Sequence, residues 1–193
     1  AFQRLGAPAI IASEAGAAAA CERIVFPGVG SAASGMAGIR QRGFDRLLRQ
    51  VWAEKRPLLG ICLGMQLLFE HSAEDGGQPG VGLLPGQVLP FSFPGQPRIK
   101  IPQMGWNSVS YAYAHPLLAG LPPDEAFYFV HSYYAAPARA EDICGRTEYG
   151  GQTFTSIAAR GSLFATQFHP ERSGEAGLVL LRNFLSWDGR SLC

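Results

Sequence analysis

Pro57-Leu58-Leu59-Gly60-Ile61-Cys62-Leu63-Gly64-Met65-Gln66 is the stretch that decides the fold. Residues 57–61 are continuously apolar, as in a strand buried on both faces. From Leu63 the apolar positions continue as a helix, expected to reach His71. A cysteine at the junction, with glycines two before and two after, suits a nucleophile carried on a tight strand-to-helix turn. The helix that follows would aim its N-terminus at the thiol and favour the thiolate, the reactive form. On this pentapeptide alone, a buried structural cysteine explains the residues equally well.

Working outward, Arg23-Ile24-Val25-Phe26 reads as a strand stopped by Pro27-Gly28. Between Ser34 and Lys55, the positions Met36, Ile39, Phe44, Leu47, Leu48, Val51 and Trp52 recur at threes and fours. One amphipathic helix is expected there, with Gly43 its weak point. Strand, helix, strand, helix predicts right-handed crossovers and a mostly parallel central sheet in an α/β fold. Residues 75–97 are rich in Gly and Pro. Short runs at 98–101, 106–111, 126–133, 144–149, 153–158 and 162–168 predict an antiparallel extension of that sheet. Ser173 to Trp187 carries Leu178, Leu181, Phe184 and Leu185 on one helical stripe. No repeat or linker divides residues 1–193, so a single domain is expected. Phe2, Leu5, Ile10 and Ile11 read as a helix end, stopped by Gly6, running into a strand.

The chain has 193 residues, 47% apolar and 16% charged, which suits a packed globular core. Sixteen basic against fifteen acidic side chains leave a net charge of +1, so no long-range field points to nucleic acid or an anionic membrane. Apolar runs fall short of the roughly 20 residues that span a bilayer. Cys21, Cys62, Cys144 and Cys193 are scattered without a CxxC pair. That pattern argues against a disulfide framework or a zinc site and for a reduced, cytoplasmic setting.

A thiol nucleophile needs a base, and the base an orienting group. His71 is expected near a helix C-terminus, His115 in a solvated turn before Pro116, and His131 in the core of a strand. His169 differs, because Pro170 biases it toward an extended conformation and Glu171 follows two residues later. In extended geometry such residues face the same side, so the carboxylate can sit beside the imidazole. A lone His-x-Glu arises readily by chance; beside an elbow cysteine it gains meaning. Acyl transfer also needs N–H donors for a developing oxyanion. Leu63 is one candidate, and Val29 and Gly30, in a loop leaving the end of a strand, are others.

Together, Gly60-Ile61-Cys62-Leu63-Gly64-Met65-Gln66 and Phe168-His169-Pro170-Glu171 resemble the class I, or triad, glutamine amidotransferases. Three further segments narrow the match toward the amidotransferase subunits of imidazole glycerol phosphate synthase: Phe26 to Gly30, Lys100-Ile101-Pro102-Gln103-Met104-Gly105-Trp106-Asn107, and Tyr128 to Tyr134. The resemblance covers residues 1 to about 187 and implies a three-layer α/β fold. It also implies hydrolysis of glutamine through a cysteine thioester without metal or organic cofactor. Cys62 would be the nucleophile, His169 the acid and base, and Glu171 its orienter. Gly30 and Gln66, with Ser132 and Tyr133, would hold glutamine. Lys100, Pro102, Gln103, Met104, Trp106 and Asn107 would face a (β/α)₈-barrel cyclase, in a heterodimer, that consumes the ammonia. On apolar character alone, Met104 and Trp106 are as readily core residues of a strand.

Against the family pattern, a first strand, its Gly-rich loop and part of the first helix are expected ahead of residue 1. Gln103 stands where histidine is frequent. Three other readings remain open: an amidotransferase of another pathway, a general cysteine peptidase or esterase, and a silent interaction module. The peptidase predicts activity without a partner and no preference for glutamine.

Overall fold

A computed structural model describes residues 1–190; Cys193 lies outside the described residues. Four short strands come first: β1 (Ile24–Gly28), β2 (Leu58–Cys62), β3 (Phe69–Ser72) and β4 (Gln78–Pro79). Next come β5 (Leu84–Pro90), β6 (Gln103–Tyr111), β7 (Glu125–His131) and β8 (Tyr133–Pro137). The last are β9 (Ile143–Tyr149), β10 (Gln152–Arg160) and β11 (Leu163–Thr166). The helices are α1 (Ala15–Ala18), α2 (Ala32–Gln41), α3 (Phe44–Ala53), α4 (Leu63–Leu67) and α5 (Gly174–Ser186). None among the described residues is long and apolar enough to cross a membrane.

The sheet runs β1-β2-β11-β10-β8-β5-β3-β4, with β9 joining β10 to β6 and β6 pairing with β7. The core trio β1, β2 and β11 is parallel. β10 and the strands beyond it form the expected antiparallel extension, apart from a second parallel pair, β3 and β5. Every residue of β2 is buried. Its alternating side chains feed two cores: Leu58 packs with α2, α3 and α4 on one face, while Leu59 and Ile61 pack with α5 on the other. Helices therefore cover both faces, making three layers.

Tertiary packing redraws several local expectations. The helix expected over 34–55 is two, because Gly43 turns left-handed (φ 74) between α2 and α3. The helix from Leu63 ends at Leu67, and Phe69 to His71 form a strand. The reason is that the carbonyls of Leu67 and Leu68, which would carry the helix on, accept instead from the N–H groups of Val81, Leu83 and Leu84. His71 therefore lies in β3 and not at a helix end. Ile10 and Ile11 are not in a strand and are exposed, with no neighbouring strand to pair them. The run 98–101 is a turn, closed by the Ile99 N–H on the Gln96 carbonyl between two prolines that lack donors. β5 was hidden inside the Gly- and Pro-rich segment.

His115 is not solvated but 3% exposed. Its Nδ1 accepts from the Leu117 N–H (3.2 Å), and its ring packs on Phe164 and Trp187. Burial pushes its pKa from 6.5 down to about 4. The core placement of His131 holds. Its Nδ1–H donates to the Tyr133 carbonyl (2.7 Å), its ring meets Phe91, Phe129 and Phe154, and burial first of all lowers it to about 4.

Packing and burial make two outcomes measurable. A methyl group on Gly64 would lie 1.9 Å from the Phe26 carbonyl oxygen, so Gly64→Ala should lower stability by about 3 kcal/mol or more. Gly38, in α2, has open space at that position, so Gly38→Ala should add about 0.5–1 kcal/mol; urea unfolding of both variants checks the contrast. His115 is neutral in the folded chain but gains a proton below pH 6.5 once unfolded. Stability should therefore fall as pH drops from 6.5 toward 4. In His115→Phe the decline should be shallower, and an unchanged urea-midpoint slope would contradict this.

Candidate active site

Cys62 stands where β2 becomes α4, with φ 54 and ψ −116. A positive φ at a non-glycine residue costs on the order of 1–3 kcal/mol and persists only where the surroundings impose it. They do so here: Gly64 leaves no gap between the first turn of α4 and the Phe26 carbonyl. The Cys62 thiol donates to the Val130 carbonyl (3.9 Å) and accepts from the Gln167 Nε2 (3.8 Å). With five residues, α4 is too short to develop a full macrodipole.

The chief neighbour is His169. Its backbone N–H donates to the Tyr128 carbonyl (2.9 Å) and its carbonyl accepts from the Ser173 hydroxyl (2.7 Å), which in turn accepts from the Tyr128 N–H. These bonds fasten the residue to β7. Its Nδ1 lies 2.8 Å from Oε1 of Glu171; the extended backbone expected there stops at His169, because Pro170–Arg172 form a 3-10 helical turn, and the pair meets across that turn. Its Nε2 is buried and closes no hydrogen bond. The Cys62 side chain is nevertheless near enough to be the largest influence raising the imidazole to about 9, followed by the Glu171 hydrogen bond. Burial raises the Glu171 carboxyl, but its bonds with His169 and its own backbone outweigh that and leave it below the usual range.

Gln66, buried, donates from Nε2 to the Tyr133 carbonyl (2.9 Å) and to Oε1 of Gln167 (2.9 Å). Gln167, which sequence reasoning passed over, thus links Gln66 to the thiol; an amide closing the apolar run of β11 was its only signal. Ser132 and Tyr133 lie beside this chain at the start of β8, where Ser132 offers its carbonyl to the Phe91 N–H. Gly28 pairs with Cys62 across the β1–β2 ladder, so the loop through Val29 and Gly30 leaves the sheet on the rung of Cys62. Leu63 begins α4 directly after the thiol.

β6 sorts the expected interface residues by alternation. Met104 (65%) and Trp106 (59%) are exposed, with Lys100, Ile101 and Pro102 beside them. Neither Met104 nor Trp106 is core. Gln103 is a correction: it points inward and is buried opposite His131, because odd positions of β6 face the sheet's covered side. Asn107 turns to β9 and donates to the Glu148 carbonyl (2.8 Å). Trp106 meets Tyr128 edge-on (6.3 Å), and the Arg172 guanidinium lies 4.3 Å from the Tyr128 ring, so this face adjoins His169 and Glu171. A cleft of about 700 Å³ lined by Tyr111, His115 and Asp124 opens at the other end of the β6–β7 hairpin. It lies roughly 25 Å along the strand from Gln103. It holds none of the residues singled out for catalysis and is not the reaction site.

The family described as "Glutamine amidotransferase class-I" matches residues 8–187. The chain is 47% identical over 194 residues to imidazole glycerol phosphate synthase subunit HisH of Pseudomonas putida, covering 98% of this chain and 91% of that protein. It is 50% identical over 175 residues to the same subunit of Methylococcus capsulatus, covering 88% and 79%. Among solved structures, a glutamine amidotransferase crystal structure superposes with a TM-score of 0.72 at 20% identity, covering 96% of this chain and 88% of the other. The structure of PurLQS from Thermotoga maritima gives 0.64 at 18%, covering 86% and 79%. At those identities the likeness speaks for the fold alone. The chain belongs to the class I glutamine amidotransferase family, in the branch of the imidazole glycerol phosphate synthase subunit HisH.

Proposed function

We propose that Cys62, His169 and Glu171 hydrolyse glutamine in this amidotransferase, the glutaminase subunit of an imidazole glycerol phosphate synthase, and that a (β/α)₈-barrel cyclase receives the ammonia. The observation that carries the reading is the strained elbow, which sets Cys62 against a histidine whose far nitrogen is held by a carboxylate. The Cys62 thiolate adds to the carboxamide carbon. The Leu63 N–H and the amides of the Val29–Gly30 loop receive the oxyanion. As the C–N bond breaks, the His169 imidazolium gives its proton to departing ammonia, leaving a thioester. Neutral His169 then deprotonates a water, which adds to the thioester, and the thiolate leaves as glutamate forms. Glu171 keeps the Nδ1 proton in place through both steps.

Gly30, Gln66, Ser132 and Tyr133 are assigned to the glutamine pocket. With its amide donors committed to Tyr133 and Gln167, Gln66 acts chiefly by holding those two groups in place. Exposed Ile101, Met104 and Trp106, close together in the chain, support a docked partner, since large apolar side chains grouped on a surface mark interaction sites. Lys100 and Pro102 would edge that contact. Met104 pairs across the hairpin with Val130, whose carbonyl receives the Cys62 thiol, so partner face and nucleophile are one strand apart. Direct delivery to the cyclase also keeps ammonia from being protonated in bulk water.

Cys62→Ala should abolish ammonia release from glutamine in the complex; undiminished release would end this reading. Glu171→Gln should lower kcat/KM by about 10²–10⁴. With His169 at about 9, the imidazolium is lost as pH rises through that value, so wild-type kcat/KM should fall there. Without the Glu171 carboxylate the falling limb should move to lower pH, and a limb that stays put would count against the assigned pair. Trp106→Ala should weaken cyclase binding by about 30-fold in a titration. Unchanged affinity would remove Trp106 from the interface.

A further inference from the structure

The first turn of α2 is capped from a distant part of the chain. Ser31 is its N-cap residue, with extended backbone angles (φ −106, ψ 162), yet its hydroxyl makes no capping bond. The Ala32 N–H donates instead to Oε2 of Glu74 (2.8 Å), and the Ala33 N–H to Oδ2 of Asp75 (3.0 Å), each 42 residues away. The turn Glu74–Gly76 that supplies these carboxylates is itself tied down. The Ala73 N–H donates to the Val88 carbonyl of β5 (2.9 Å), the Glu74 N–H to the Ser72 hydroxyl (3.2 Å), and the Gly77 N–H to the Glu74 carbonyl (3.0 Å). Asp75 sits at φ 53, the left-handed region that Asp and Asn enter more readily than most residues. Strain is thus tolerated at a residue whose carboxylate reaches the helix.

Between Gly28, on the rung of Cys62, and Ala32, the first residue of α2, lie only Val29, Gly30 and Ser31. Val29 is 82% exposed, so packing does not hold this loop. Its two ends are held by the β1–β2 ladder on one side and the capped helix on the other.

We propose that Asp75 is a positioning residue for glutamine hydrolysis: by capping α2 it fixes the far end of the Val29–Gly30 loop and keeps those amides aimed where negative charge develops beside Cys62. This rests on the reading of that loop as the oxyanion receiver. Asp75 acts through the backbone and touches none of the reacting atoms.

The test compares Asp75→Gly and Asp75→Asn with wild type, in complex with the cyclase. Glycine removes the carboxylate but accepts the positive φ, whereas asparagine keeps both the conformation and an acceptor oxygen. Asp75→Gly should lower kcat by about 10- to 100-fold, as displaced catalytic donors do. KM should change by less than about 3-fold, and Asp75→Asn should stay near wild type. Alkylation of Cys62 by iodoacetamide, a displacement that forms no oxyanion, should proceed at the same rate in all three. Undiminished kcat in Asp75→Gly would overturn the proposal. So would an equal loss in Asp75→Asn, or alkylation falling in step with kcat. A wild-type complex that alkylates normally but releases no ammonia from glutamine would instead overturn the functional reading on which the proposal stands.

Discussion

The contact between the first turn of α4 and the end of β1 is the constraint on which the rest of the site depends. Gly64 lies so close to the Phe26 carbonyl that no side chain fits between them. That approach accompanies the positive φ at Cys62, where the strand turns directly into the helix. The loop after β1 leaves from the rung of Cys62, because Gly28 and Cys62 are paired. The candidate nucleophile and the candidate oxyanion donors are thus placed by one piece of backbone packing. The strain is sustained because β2 is buried on both faces, and each fully buried Leu or Ile contributes about 1.5–3 kcal/mol.

Around this backbone feature, three histidines take different electrostatic characters from their surroundings. His115 and His131 are enclosed by aromatic rings without a carboxylate partner, and desolvation holds both neutral. His169, also buried, has the Cys62 thiol on one side and Glu171 on the other, and these outweigh its desolvation. His169 is therefore distinguished by its neighbours, since burial alone would have lowered its pKa as it does for the other two. The chain of amides from Gln66 through Gln167 to the thiol satisfies polar groups that the apolar interior would otherwise leave unpaired.

The β6–β7 hairpin gives the site its outward face. One side of β6 contributes Val109 to the core, while the other carries Met104 and Trp106 outward. β7 supplies the Val130 carbonyl to the thiol and the Tyr128 backbone to His169. A surface suited to a partner and the groups suited to chemistry therefore share one two-stranded element.

Much was legible in the sequence because its causes are local. The run Leu58 to Ile61 and the flanking glycines declare a buried strand entering a tight turn, and the two-residue spacing of His169 and Glu171 keeps the pair within local reach, although their contact closes over a 3-10 turn and not along extended backbone. The helix near Ser173–Trp187 and most of the antiparallel strands are equally local in origin. Other features required distant partners. α4 stops early because the backbone of residues 81–84 takes its carbonyls, His115 is buried by Phe164 and Trp187, and α2 is capped from residues 74 and 75. Gln103 and Met104, adjacent in an apolar-looking run, were assigned opposite faces only by the register of β6 against β7. Sequence alone determined which residues could do chemistry and which segments had to be buried. The tertiary structure decided which polar atoms those segments left to one another, because hydrogen bonds and desolvation depend on neighbours that the chain order does not name.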